Sequence, residues 1–165
     1  ERVRRTLVRL AYEMVEDNRG EGHLILFGVE HGGVELAREL ARQIPEHEVG
    51  SPVEVYSLDV TAYRDDRSRD ELEADAGRVP DLSVDGKHVV LVDDGLFTGR
   101  TARAAMEAVI ALGRPRTIRL AVLIDRGHRE YPIEPTYVGR TIKTKHKERV
   151  IVTHEAPGFS VQVEE

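Results

Sequence analysis

Two adjacent carboxylates, Asp93 and Asp94, stand between an apolar run, His88 to Val92, and a loop of small residues that ends Thr98-Gly99-Arg100-Thr101. Each residue type there suits one chemical task. Gly95 and Gly99 let the backbone approach a ligand closely, and the hydroxyls of Thr98 and Thr101 stand beside main-chain N–H groups at the start of a helix, where the dipole favours an anion. Arg100 could add a charge-assisted donor. The paired carboxylates could accept hydrogen bonds from sugar hydroxyls or hold a hydrated magnesium ion through water. Together these groups would hold a phosphorylated sugar.

Three other readings of the stretch compete. A P-loop puts four residues between its glycines and follows them with Lys, whereas Gly95 and Gly99 are separated by three and followed by Arg100. A receiver-type phospho-acceptor also has an apolar strand ending in Asp-Asp, but that strand opens its chain and this one lies past the middle. An ordinary strand, turn and helix whose carboxylates only cap basic neighbours would account for an isolated Asp-Asp, but not for the whole loop.

The elements that must position these groups are legible in hydrophobic spacing. Leu7, Leu10, Ala11, Met14 and Val15 predict a helix from Arg4 to about Asn18, closed by Gly20. A buried strand follows from His23 to Val29, then the loop Gly28 to Gly33, then a helix with Ala37, Leu40, Ala41 and Ile44 on one face and Pro45 as its stop. Val53 to Val60 predicts a third strand. Arg67 to Asp75 is almost wholly charged, which predicts a solvated loop. Past the central stretch, Ala102, Ala105, Met106, Val109 and Ile110 predict the inward face of a helix ended by Gly113 and Pro115. Thr117 to Ile124 is another strand, and Asp125-Arg126-Gly127 closes it on the same side as Asp93; Asp125 and Arg126 could serve a ligand or pair with each other. Val150 to Thr153 and Ser160 to Val163 are the last short strands.

Composition bounds the class. At 165 residues the chain predicts one domain, residues 1–165, able to bury a core without staples, and it has no Cys. No apolar run is long enough to span a bilayer and no secretory h-region precedes the first helix, so the expected location is cytoplasmic. The net charge of −6 argues against broad, charge-driven nucleic-acid binding, although a local basic patch remains open. The seven His show no metal-ligand spacing.

The stretch from His88 to Thr101 resembles the PRPP-binding motif of type I phosphoribosyltransferases: four apolar residues, two acids and a loop ending Thr-Gly-Arg/Lys-Thr. LDVTAYRDD (58–66), LGRPRTIRLAVLIDRGHREYPI (112–133) and YVG (137–139) extend the resemblance to the pyrimidine-operon regulator/uracil phosphoribosyltransferase (PyrR) family, from Val3 to about Val152. It implies an α/β fold of the type I phosphoribosyltransferase kind, a central parallel sheet flanked by helices, with a flexible flap at about 64–80 and a small hood at about 128–165. It implies conversion of uracil and PRPP to UMP and pyrophosphate, with Mg2+ accompanying PRPP, in a homo-oligomer.

The resemblance also assigns residues. Asp93 and Asp94 would lie by the ribose; Gly95, Thr98, Gly99, Arg100 and Thr101 would hold the 5′-phosphate; Glu30, His31, Gly32 and Gly33 would form the pyrophosphate loop. Arg64 on the flap could reach a phosphate, and Asp125, Arg126 and Gly127 would contribute to the base pocket. Family members carry a basic or hydroxyl residue just before the pyrophosphate-loop glycines, and here Glu30 would repel pyrophosphate. Phe97 stands where purine-specific relatives place an Asp, which favours a pyrimidine. A second function implied is UMP-dependent RNA binding that attenuates transcription. Val8, Tyr12, Asp17 and Glu134 replace residues that favour RNA in the family, while His128, Arg129 and Arg140 remain, so weak RNA affinity is expected. A third possibility is a nucleotide-binding scaffold without turnover.

Overall fold

The structure, a computed structural model, describes residues 1–29, 32–65, 82–156 and 158–165. Helix α1 (Arg2–Asn18) starts two residues before its predicted position and buries Leu7, Leu10, Ala11, Met14 and Val15, as the spacing requires. Strand β1 (Leu24–Val29) is buried along its whole length and feeds α2 (Gly33–Gln43) and the short α3 (Glu46–Val49). Strand β2 (Glu54–Leu58) ends in a 3-10 turn at Thr61–Tyr63. After the central strand β3 (His88–Leu96) come α4 (Arg100–Ile110), β4 (Thr117–Asp125), β5 (Tyr137–Thr141) and a hairpin of β6 (Arg149–Glu155) and β7 (Gly158–Glu164).

Five strands form one parallel sheet in the order β2-β1-β3-β4-β5, and the hairpin is a separate antiparallel pair. Parallel strands covered on both faces need apolar residues at every position, which is why β1 and β3 read as continuous hydrophobic runs rather than alternating ones. Leu24, Leu26, Val90 and Val92 share a core with α1 and α2, while Ile25, Phe27, Val89 and Leu91 share the opposite core with α4. Val150, Val152, Phe159 and Val161 bring the hairpin onto the first of these cores. Among the described residues no helix is long and apolar enough to cross a membrane.

Two local expectations change. Ile110, predicted inward, is 61% exposed; the buried arc of α4 is Ala102, Ala104, Ala105, Ala108 and Val109. Small residues there let the helix approach the sheet, and the larger Ile110 falls on the flank. Residues 137–141 belong to the main sheet rather than to a hood, so the separate cap is confined to the β6–β7 hairpin. That edge strand carries few apolar residues. It exists because its backbone pairs with β4, where a Cβ on Gly139 would overlap the Leu123 carbonyl. Of the expected flap, Arg64 and Asp65 are described and 66–80 lie outside the described residues.

Edge strand and first helix are tied by polar contacts: Arg9 donates to the carbonyls of Val138 (3.1 Å) and Gly139 (2.7 Å). Tyr137 is fully buried, and its hydroxyl donates to Asp17 Oδ2 at 2.7 Å. Burial and the adjoining carboxylate hold the phenol above its ordinary pKa. Asp17 thus has a structural task at the end of α1. Asp17→Ala should lower stability by about 1 kcal/mol by leaving the hydroxyl without its partner. Thermal denaturation of Asp17→Ala in a Tyr137→Phe background should show that loss removed; an equal loss in both backgrounds would assign it elsewhere.

Candidate active site

The strand order reverses direction between β1 and β3, and open α/β sheets bind ligands in the crevice that such a reversal leaves at the carboxyl ends of the strands. Here the crevice has a specific cause. Pairing of β3 with β1 ends at Gly28↔Val92, whereas pairing with β4 continues through Asp93↔Val122, Gly95↔Ile124 and Leu96↔Asp125. From Asp93 onward β3 is therefore held on one side and open on the other. The carboxylate pair, expected beyond the end of the strand, lies within it.

Across the opening stands Gly32, the N-cap of α2; a Cβ there would overlap the Asp94 carboxylate. The glycine is what lets the two loops meet. Glu30 and His31, the other expected members of the pyrophosphate loop, lie outside the described residues. Gly33 packs on the Val92 carbonyl, again with no room for a side chain. Both acids are half-buried. Asp93 Oδ1 accepts the Asp94 N–H at 2.8 Å, and burial together with the Asp94 charge pushes the Asp93 carboxyl well above the usual carboxylate range. The pair thus favours a neutral Asp93 beside Asp94.

The loop after β3 encloses a cavity of about 120 Å³ lined by Asp93, Gly95, Thr98, Gly99 and Thr101 among others. Gly99 caps α4 with φ 89°, a left-handed conformation that glycine adopts without strain. Thr98 Oγ1 accepts the Arg100 N–H at 3.3 Å. Thr101 and Ala102 in the first turn of α4 line the cavity together with Leu96, Leu120 and Val122. Arg100 does not line that cavity. Its guanidinium donates to Glu130 (2.8 Å), Asp65 (2.5 Å) and the Tyr131 hydroxyl (2.8 Å) and lies 4.6 Å from the Tyr131 ring centre. Its hydrogen bonds to the Glu130 and Asp65 carboxylates raise its pKa further. The expected phosphate donor is thus engaged by protein groups.

The segment after β4 supports the loop from outside. Glu130 and Tyr131 N–H groups both donate to the Thr98 carbonyl, at 2.8 and 3.0 Å. Arg129 donates to the Phe97 carbonyl at 3.1 Å and grips Asp125 with two nitrogens, at 2.9 and 2.6 Å. Burial raises the Asp125 pKa, but hydrogen bonds from Arg129 and the Gly127 N–H outweigh it and hold the carboxyl below its usual range. The Asp125–Arg126 pair open in the sequence does not form. Arg126 instead lies 4.0 Å over the Phe97 ring and donates to the carbonyls of Lys145, His146 and Glu148.

His128 takes a positive φ of 68° and shares a 2.7 Å hydrogen bond with the Thr144 carbonyl. Arg129, expected on an RNA surface, has only 17% of its side chain exposed and its donors engaged. Arg140 is exposed on β5 and lines a separate cavity with Arg2 and Thr6, so the structure does not gather the three residues into one patch. Tyr12 is 69% exposed, and Glu134 lies 4.0 Å from Arg129. Residue spacing did not point to Asp65, Glu130, Tyr131 or His146, although most lie inside segments singled out for other reasons. Their roles depend on chain crossings between distant segments.

Comparisons with known proteins bear on the fold and the family. A phosphoribosyl transferase domain family matches residues 2–157. The bifunctional protein PyrR of Bacillus subtilis (strain 168) is 46% identical over 154 residues, covering 91% of this chain and 84% of that protein. Its counterpart from Pelotomaculum thermopropionicum is 50% identical over 152 residues, covering 91% and 83%. Among solved structures, a hypoxanthine-guanine phosphoribosyltransferase of Bacillus anthracis superposes with a TM-score of 0.69 at 20% identity, over 92% of this chain and 83% of that one. A hypoxanthine phosphoribosyltransferase of Trypanosoma cruzi gives 0.69 at 24% identity, over 92% and 81%, and at this level both share the fold. The chain belongs to the phosphoribosyl transferase domain family and, within it, to the family of PyrR bifunctional proteins.

Proposed function

We propose that the protein joins uracil to the ribose of PRPP, forming UMP and releasing pyrophosphate. The observation that carries this reading is the crevice in which Asp93 and Asp94 face Gly32 on one side and adjoin the phosphate-sized cavity before α4 on the other. Pyrophosphate would lie by Gly32 and Gly33, the ribose hydroxyls by the two acids, and the 5′-phosphate against Thr98, Gly99 and Thr101. As the glycosidic bond to pyrophosphate breaks, positive charge builds on the sugar ring, and Asp94 stands where it would offset it. The protein's task is chiefly to position reactants and to supply a fixed field.

Two carboxylates beside a pyrophosphate loop suit a magnesium ion, which keeps several waters and takes one or two carboxylates together with substrate phosphates. When bound, magnesium would neutralise charge on the leaving group. The base preference follows from Phe97, whose ring is stacked against Arg126 where purine-specific relatives carry an Asp for the purine. Uracil needs no such acid.

The test is magnesium-dependent pyrophosphate release from PRPP with uracil, hypoxanthine, guanine and orotate. Release with uracil alone is expected, and release with a purine would overturn the assignment. A second reading has support in the relatives' bifunctional character: UMP-dependent RNA binding that attenuates transcription. Exposed Tyr12 and Asp17, the acid Glu134 and the engagement of Arg129 with Asp125 support weak, salt-sensitive RNA binding. Absence of release with every base, in a protein that still binds UMP, would leave a nucleotide-binding scaffold.

A further inference from the structure

With a net charge of −6, the chain repels at long range a substrate that carries a phosphate and a pyrophosphate. One segment opposes that field. Residues 140–149, RTIKTKHKER, hold Arg140, Lys143, Lys145, Lys147 and Arg149 against the single acid Glu148. All five cations are exposed, and among the described residues none makes an ion pair. Arginines on the helices differ: Arg5, Arg9, Arg38, Arg42 and Arg103 each pair with a Glu three or four residues away. Within the basic segment, Glu148 spends its carboxylate on the Lys145 N–H at 2.7 Å, and Arg149 faces Glu164 across the hairpin. Within this segment the three lysines, among the described residues, therefore carry charges that no carboxylate offsets.

Their placement beside the site is set by main-chain contacts. Ile142 donates to the Asp125 carbonyl at 2.8 Å, and His128 meets the Thr144 carbonyl. Arg126 holds the carbonyls of Lys145 (3.2 Å) and Glu148 (2.5 Å) while its guanidinium covers Phe97. The His146 ring packs edge-on to Phe97, centre to centre 5.3 Å, and Phe97 immediately precedes Thr98 of the phosphate loop. Because salt screens charges beyond about 8 Å at physiological ionic strength, only cations close to the opening can draw in an anion. The contacts with Arg126, His128 and Phe97 pin the backbone of this segment beside the loop that precedes Thr98, and the three lysines are exposed.

We propose that Lys143, Lys145 and Lys147 form an electrostatic entry path that captures the phosphosugar at the rim of the crevice and raises its association rate. The proposal rests on PRPP being the substrate. Its test compares the protein with the Lys143→Gln/Lys145→Gln/Lys147→Gln variant, measuring kcat/KM for PRPP across a salt series and the PRPP association rate by stopped flow with magnesium. The variant should lose roughly tenfold in kcat/KM and in association rate at low salt. Its salt dependence should flatten, with kcat and the KM of uncharged uracil unchanged.

An unmodified protein that neither turns over nor binds PRPP would remove the substrate assignment and the entry path with it. Binding of PRPP by both proteins at the same rate and salt slope would overturn the entry path alone. An unchanged PRPP salt slope together with lost RNA affinity would reassign the lysines to RNA and overturn it as well.

Discussion

Asp94→Asn should lower kcat/KM for PRPP roughly 10²- to 10³-fold, the loss typical of removing one fixed electrostatic group from a transition-state site. Its neighbour should separate activity from stability. Asp93→Asn should also cut turnover strongly, yet raise the melting temperature by roughly 2–4 °C at neutral pH, the shift about 1 kcal/mol gives in a chain of this size. Burial and the Asp94 charge favour the protonated form of Asp93 in the folded protein, so folding retains a proton that the unfolded chain releases. Stability from this group is whole below the ordinary carboxylate range and is lost as pH rises toward the elevated folded value. Asn cannot ionise, so the variant should lack that decline, and melting curves at acidic and neutral pH measure the difference. Unchanged turnover in both variants would remove the pair from the mechanism, and a lower melting temperature for Asp93→Asn would refute its neutral state. A functional site that is strained by adjacent acids should gain stability when one is neutralised.

Arg129→Ala should be the most destabilising single change near the site. It strips Asp125, whose side chain is 13% exposed, of its bidentate partner and the Phe97 carbonyl of a donor. Breaking a mostly buried ion pair from one side costs about 3 kcal/mol, or roughly 6–12 °C in melting temperature. Because Asp125 titrates below its usual range in the folded protein, its stabilisation is present above the ordinary carboxylate pKa and fades as pH falls through the lowered one. The gap between parent and variant should therefore narrow in acid. Replacing both partners, Asp125→Asn with Arg129→Met, should recover much of the stability, since no uncompensated charge remains. Turnover should stay low in both variants, because the 129–131 segment then holds the phosphate loop less firmly. A variant with parental stability would show that the ion pair contributes nothing net.

Residues acting through local geometry were legible in advance. The apolar run of β3, the acids that follow it, the glycine that caps α4 and the hydroxyls beside it lie within fourteen consecutive residues, so their mutual positions follow from a strand, a turn and a helix start. The buried arcs of α1 and α2 were legible for the same reason, since a helix imposes its own period. Ile110 shows where period alone falls short. Its spacing suits the inward face, but the width of the buried stripe depends on how closely α4 meets the sheet.

Arg100 and Arg129 mark the boundary more sharply. An arginine at the start of a phosphate-binding helix and another in a basic run each have obvious ligands outside the chain. The fold gives Arg100 to Asp65, Glu130 and Tyr131, across separations the sequence does not reveal, and turns Arg129 back onto Asp125, four residues earlier. Strand β5 is the same lesson at the level of the backbone, because an edge strand with Gly139 and few apolar residues is created by the carbonyls and N–H groups of β4.

By itself, the sequence determined the parallel α/β framework and the acid pair with the glycine and hydroxyl loop after it, because these are written in residues close together and governed by local periodicity, while its motifs carried the resemblance to the family. Only the tertiary structure decided that Asp94 meets Gly32, that Asp125 pairs with Arg129 rather than Arg126, and that the basic segment 140–149 lies against Phe97. Those outcomes depend on which of several candidate partners the backbone path brings to a group and with what geometry, and side-chain type carries no record of that path.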